Sequence, residues 1–183
     1  MSTTGRATSR PPRYSKRPLP CYRHVPGETP HPERDPAGHM YGESEVAPRD
    51  WKAEGWQENE LYLFGVDLFN DGYWWEAHAA WEALWKTSER GGATARFLQG
   101  LIQIAAALVQ DRAGRAIGAR RLASKGVAKL RGLGNSRSLG SGSRALRFMG
   151  VDVEGFATAV ERFFEPMDLG RAEVVVLPLL VLA

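Results

Sequence analysis

NDGYWWEAHAAWEALWKTSERGGATARFLQGLIQIAAALVQ, residues 70–110, is the stretch on which the fold turns. Asn70-Asp71-Gly72 is a turn signal, because Gly accepts the left-handed backbone that ends a helix. From about Tyr73 to Ser88 no Gly or Pro interrupts, and Gly91-Gly92 is a strong stop. This predicts a helix carrying Glu76, His78, Glu82 and four tryptophans. A further helix is predicted from about Ala93 to Asp111, apolar around most of its circumference, with Gln99, Gln103 and Gln110 along one line. Gly100 and Ala105-Ala106-Ala107 permit close helix approach. The double glycine between the two helices implies an antiparallel hairpin.

The flanks extend this reading. A preceding helix is predicted from about Gln57 to Asn70, with Leu61, Phe64 and Leu68 on one face. After Gly114, a fourth runs from about Arg115 to Leu130, with Ala119, Leu122, Ala123 and Leu130 on its inner side. Gly132, Gly134, Gly140 and Gly142 mark a flexible link, and a short helix near Arg144–Met149 follows. Asp152 is a suitable N-cap for a last helix, about Val153 to Phe164, stopped by Pro166. Residues 171–183 read as an extended tail that packs its Val and Leu onto the helices, since a lone strand has no partner. Gly72-x4-Ala77-x3-Trp81 echoes Gly114-x4-Ala119-x3-Ala123 at an offset of 42, which either a helix-hairpin repeat or an ordinary bundle explains. The expected class is all-α, an antiparallel helical bundle of about five helices with an extended N-terminal arm. The expected divisions are a proline-rich basic arm at 1–50, a helical domain at 51–170 and the tail at 171–183.

Nine of the eleven prolines lie in residues 1–50, which show no helical periodicity. Thr29–Gly42 (TPHPERDPAGHMYG) places His31 and His39 eight residues apart with Asp35 midway. A free tail and an arm draped over the core both fit, and only the second gives those side chains a purpose. An apolar fraction of 43% supports a true core. The single cysteine, Cys21, excludes an intrachain disulfide framework. No apolar run reaches the roughly 18 residues that span a bilayer, and the basic N-terminus lacks the apolar stretch of a secretory signal. A cytoplasmic protein is expected.

The net charge of +3 hides a segregation. Residues 112–150 hold ten Arg/Lys and no acid, whereas 50–89 hold nine Asp/Glu against Lys52 and Lys86. Arg120, Arg121, Lys125 and Arg131 are candidates for an exposed basic face. It either simply meets solvent or attracts nucleic acid in a salt-sensitive way.

Polar side chains on buried helices need partners. On a helix His78 and Glu82 share a face, while Glu76 lies roughly 200° from His78. Glu76 is therefore expected to border solvent, another helix or the arm. If the hairpin forms, Gln99 and Gln103 are placed to face His78 and Glu82. Phe97, Leu101, Ile104 and Leu108 form the opposite line, directed at the first or fourth helix. The pair His78–Glu82 reads as an i,i+4 hydrogen bond, as a base tuned by a carboxylate, or as half of a metal site. A metal would need more ligands, from His31, Asp35 or His39, and the corresponding expectation is that His31 or His39 lies close to His78 and Glu82 and closes the site.

The run FNDGYWWEAHAAWEALW, then FLQGLIQIAAALVQ, then GAxRLxxKxxxxL (Gly118, Ala119, Arg121, Leu122, Lys125, Leu130) resembles the bacterial and archaeal family called domain of unknown function 309. The resemblance covers roughly residues 61–130. It places Gly72, Glu76, His78, Glu82, Trp85, Gly100 and Gln103 on the family's recurrent positions. This chain has Ala79 where a glutamate is usual and Gln110 where a histidine is frequent, and each departure removes a ligand or an acid–base group. The resemblance implies a compact helical fold and no particular activity.

The resulting expectation is a small helical domain with a polar site of Glu76, His78, Glu82, Gln99, Gln103, His31 and His39 between the second and third helices. Such a site is structural or binds a small-molecule ligand. The alternatives are a metal-dependent or His-based hydrolase, with a divalent metal as cofactor, and a nucleic-acid-associated protein acting through 112–150. Whether any reaction is catalysed stays open, as does oligomerisation; a membrane partner is not expected.

Overall fold

A computed structural model describes residues 12–134, 146–165 and 177–183. A 3-10 helix (Ala53–Glu58) leads into α1 (Glu60–Asn70), α2 (Trp74–Thr87), α3 (Ala93–Arg112) and α4 (Ala116–Arg131). A two-stranded hairpin, β1 (Arg147–Phe148) and β2 (Val151–Asp152), precedes α5 (Val153–Phe164). The architecture is an all-α bundle.

Local chemistry sets the helix ends. The Asn59 side chain accepts from the Tyr62 N–H at 3.0 Å and so starts α1, a few residues later than the apolar pattern alone suggests. Gly72 ends it at φ +81°, with the Tyr73 N–H donating to the Leu68 carbonyl at 2.8 Å. Gly114 repeats the device at φ +73°, with the Arg115 N–H on the Gln110 carbonyl at 2.9 Å. The sequence echo at offset 42 is thus a repeated helix ending. Asp152 caps α5, its Oδ1 accepting from the Gly155 N–H at 3.1 Å.

Helix α3 is the spine. Phe97, Leu98, Leu101, Ile104, Ala105 and Ala107 are fully buried. Phe97 packs with Tyr62 of α1 and Phe148 of β1, at ring separations of 6.5 and 4.9 Å. Gly100 lies against Leu130, and Ile104 against Gly126, so α3 and α4 run antiparallel in close contact. A Cβ on Gly126 would stand 2.8 Å from the Gly100 carbonyl oxygen, which fixes glycine at this crossing.

Two expectations change. The helix foreseen over 144–149 is not formed at 147–149, because Met149 (φ 46°) and Gly150 (φ +80°) adopt the left-handed pair of a tight hairpin turn. Its start, 144–145, lies outside the described residues, as do Gly140 and Gly142 of the link, the Pro166 stop and 171–176 of the tail. The tail also finds a strand partner: Leu182 bridges Val151. Leu180 is buried, and its N–H and C=O bond the Asn70 side chain at 2.8 Å each.

The arm, from residue 12 to 50, has no helix or strand yet is tied down along its length. Asp67, 1% exposed in the middle of α1, accepts from Arg13 Nε (2.9 Å) and from the Tyr14 and Ser15 N–H groups (both 2.8 Å). The Lys16 N–H meets Glu60, and the Tyr73 hydroxyl donates to the Pro20 carbonyl. No helix among the described residues is long and apolar enough to cross a membrane.

Candidate functional site

Glu76 stands in the first turn of α2, where the helix dipole favours a carboxylate. It is only 3% exposed. The arm covers it: Glu76 Oε1 accepts from the His24 N–H at 2.9 Å and from His39 Nε2 at 3.1 Å. Glu76 Oε2 is buried with no hydrogen-bond partner among the described residues. A buried carboxylate oxygen left in this state carries a desolvation cost of about 1–3 kcal/mol or more.

The arm side chains are themselves oriented. Tyr22 stacks edge-on against His39 at 4.6 Å and accepts from the His39 N–H through its hydroxyl. His24 Nδ1 lies 3.2 Å from the Pro30 carbonyl, which can only accept, so Nδ1 carries a proton. His31 Nδ1 accepts from the Glu33 and Arg34 N–H groups at 3.3 and 3.4 Å, so the neutral ring is protonated on Nε2. The rings of His24 and His31 both pack edge-on against Trp75, at 5.7 and 5.1 Å. Burial pushes the His24 pKa below its ordinary value, against the Pro30 carbonyl, which raises it.

His78 and Glu82 occupy the other side of α2, and the wheel geometry keeps them from Glu76. Glu82 pairs with Lys86 at 3.1 Å, and no His78–Glu82 hydrogen bond forms. Burial lowers the His78 pKa, opposed by the nearby charges of Glu82 and Glu33. Among the described residues no hydrogen bond joins Gln99 or Gln103 to His78 or Glu82, and Gln103 Oε1 is buried without a partner. The expected seam of four polar groups is therefore not hydrogen-bonded together. The arm closes over the Glu76 face instead, with His39 on Glu76 and His31 on Trp75, and among the described residues neither histidine hydrogen-bonds His78 or Glu82. Asp35 caps its own turn, accepting from the Ala37 N–H at 2.9 Å.

Beside Glu76 a cleft of about 420 Å³ opens between the arm and helices α1 and α2. Its apolar wall includes Leu19, Met40, Phe64 and Leu68, and its polar groups include Arg17, His39, Glu43, Glu45 and Glu76. Arg17 forks onto Glu45 at 3.0 and 2.8 Å and lies 4.2 Å over the Phe64 ring.

Among the described residues no group of three or more His, Cys, Asp or Glu converges as metal ligands do. His24 and His31 each commit Nδ1 to the arm backbone instead. On α4, Arg120, Arg121 and Lys125 are exposed, as the wheel suggests. Arg131 is exposed too, but its charge is paired with Glu154 and Glu161 of α5, each at 2.8 Å.

Two residues of this region escape sequence reasoning. Asp67 carries a signal, an acid in the apolar run ELYLFGVDLFN. His24 carries none, because its contribution to Glu76 is its backbone N–H.

No curated protein matches the chain. Residues 62–122, from α1 to the middle of α4, match the family model described as Domain of unknown function (DUF309).

Proposed function

We propose that this chain is a ligand-binding helical domain whose N-terminal arm and helices α1 and α2 together form the binding cleft. One observation carries the reading: Glu76 Oε2, buried and without a partner among the described residues, belongs to a residue lining a cleft large enough for a small molecule. Ligand pockets combine apolar walls with a few fixed polar groups, and this cleft has both. The His39 and His24 contacts hold the carboxylate in place before any ligand arrives, which lowers the entropic cost of binding. The metal-dependent hydrolase reading has no converging ligand set behind it among the described residues.

A thermal-shift screen of the full chain against amines, carboxylates, phosphates and neutral amides tests the proposal. At least one class should raise Tm with concentration, as mass action requires, and the shift should disappear in Glu76→Gln. A wild-type Tm that no class moves would leave Glu76 as a purely structural carboxylate.

A further inference from the structure

The shape and charge of the cleft restrict what it takes. Among the described residues Glu76 Oε1 is engaged by the His24 N–H and His39 Nε2, while Oε2 is buried without a partner. A guanidinium binds a carboxylate best through two parallel bonds to both oxygens. That fork cannot form here. An ammonium is a compact charge with three rotatable donors and needs only one acceptor oxygen to begin.

The remaining lining points the same way. Arg17 is the one Lys or Arg in the wall, and it is already forked onto Glu45 and seated over Phe64. That leaves Glu43, which makes no ion pair among the described residues, together with Glu76. An anion would face three carboxylates with the only wall arginine already committed. Leu19, Met40 and Leu68 supply a surface for a short apolar body. We infer that the cleft binds a primary alkylammonium, its nitrogen drawn to the Glu76 and Glu43 carboxylates and its chain along these apolar side chains. This inference rests on the ligand-binding reading above and names the class of ligand.

The test is ligand-observed NMR titration of the full chain with four probes of one length: n-butylammonium, n-butylguanidinium, 1-butanol and butyrate. The expected order puts n-butylammonium first, tighter than each of the others by about tenfold or more. Glu76→Gln should weaken n-butylammonium by a similar factor. Glu43→Gln is exposed and outside the Glu76–His39–His24 contacts, so it should keep the wild-type Tm and weaken n-butylammonium severalfold. Equal or tighter binding of butyrate, butanol or butylguanidinium would overturn the ammonium assignment and leave a ligand-binding cleft. No binding by any probe would overturn it too, and a negative screen with all four wider classes would take the ligand-binding reading with it. Unchanged n-butylammonium affinity in both Glu76→Gln and Glu43→Gln would place the amine elsewhere.

Discussion

At the scale of single residues, histidine burial makes stability depend on pH. His24 and His78 both have pKa values lowered from 6.5, chiefly by desolvation. The groups facing His24 are the Pro30 carbonyl, His31, Glu76 and His39; those facing His78 are Glu82, Lys86 and Glu33. In the unfolded chain each imidazole takes its proton near 6.5, while in the fold it does so only at lower pH. The unfolded state therefore binds more protons in that window, and stability falls as pH drops below 6.5 until the lowered folded values are passed. Thermal melts from pH 7.5 to 5.5 should show Tm decreasing, with a shallower decrease in His24→Gln and in His78→Gln. Slopes identical to wild type in both variants would contradict this assignment. The acid–histidine chemistry was legible in the sequence as residue types. Its pairing was not, because the partner of Glu76 comes from 37 residues away in a segment with no periodicity to fix its path.

At the scale of elements, the sequence specified most helices well, since turn glycines, caps and apolar spacing agree about where they lie. The α5 range follows from Asp152 and the apolar spacing after it. The hairpin at 147–152 was illegible because Met149 is not a residue that advertises a left-handed turn. The spacing of α3 and α4 gives a sharp comparison on one helix. Gly126→Ala would press a Cβ against the Gly100 carbonyl and Ile104, and backbone cannot yield cheaply there. It should cost about 1–3 kcal/mol. Gly118→Ala meets nothing within 4 Å and should gain about 0.5–1 kcal/mol from helix propensity. Urea denaturation of the two variants should move in opposite directions. Equal effects would show that the two helices do not cross at Gly100 and Gly126.

At the scale of the whole molecule, the described parts of the arm and of the tail both tie to α1. Tyr14 of the arm bonds Asp67, Leu180 of the tail bonds Asn70, and the Leu182 N–H donates to the Tyr14 hydroxyl at 3.1 Å. The family segment alone holds Asp67 and Glu76, but the groups that satisfy them come from outside it. The proline-rich composition of the arm explains how it can dock at modest entropic cost, although composition could not distinguish docking from a free tail. The central claim is that the arm is fixed on these two buried carboxylates and so walls the cleft. Amide hydrogen exchange at His24, Tyr14 and Ser15 tests it most directly. All three amides should be strongly protected in wild type. Glu76→Ala should release His24 by tenfold or more while Tyr14 and Ser15 stay protected, and Asp67→Ala should release Tyr14 and Ser15. Exchange of His24 at the free-peptide rate in the wild-type chain, or protection unchanged in Glu76→Ala, would contradict the account.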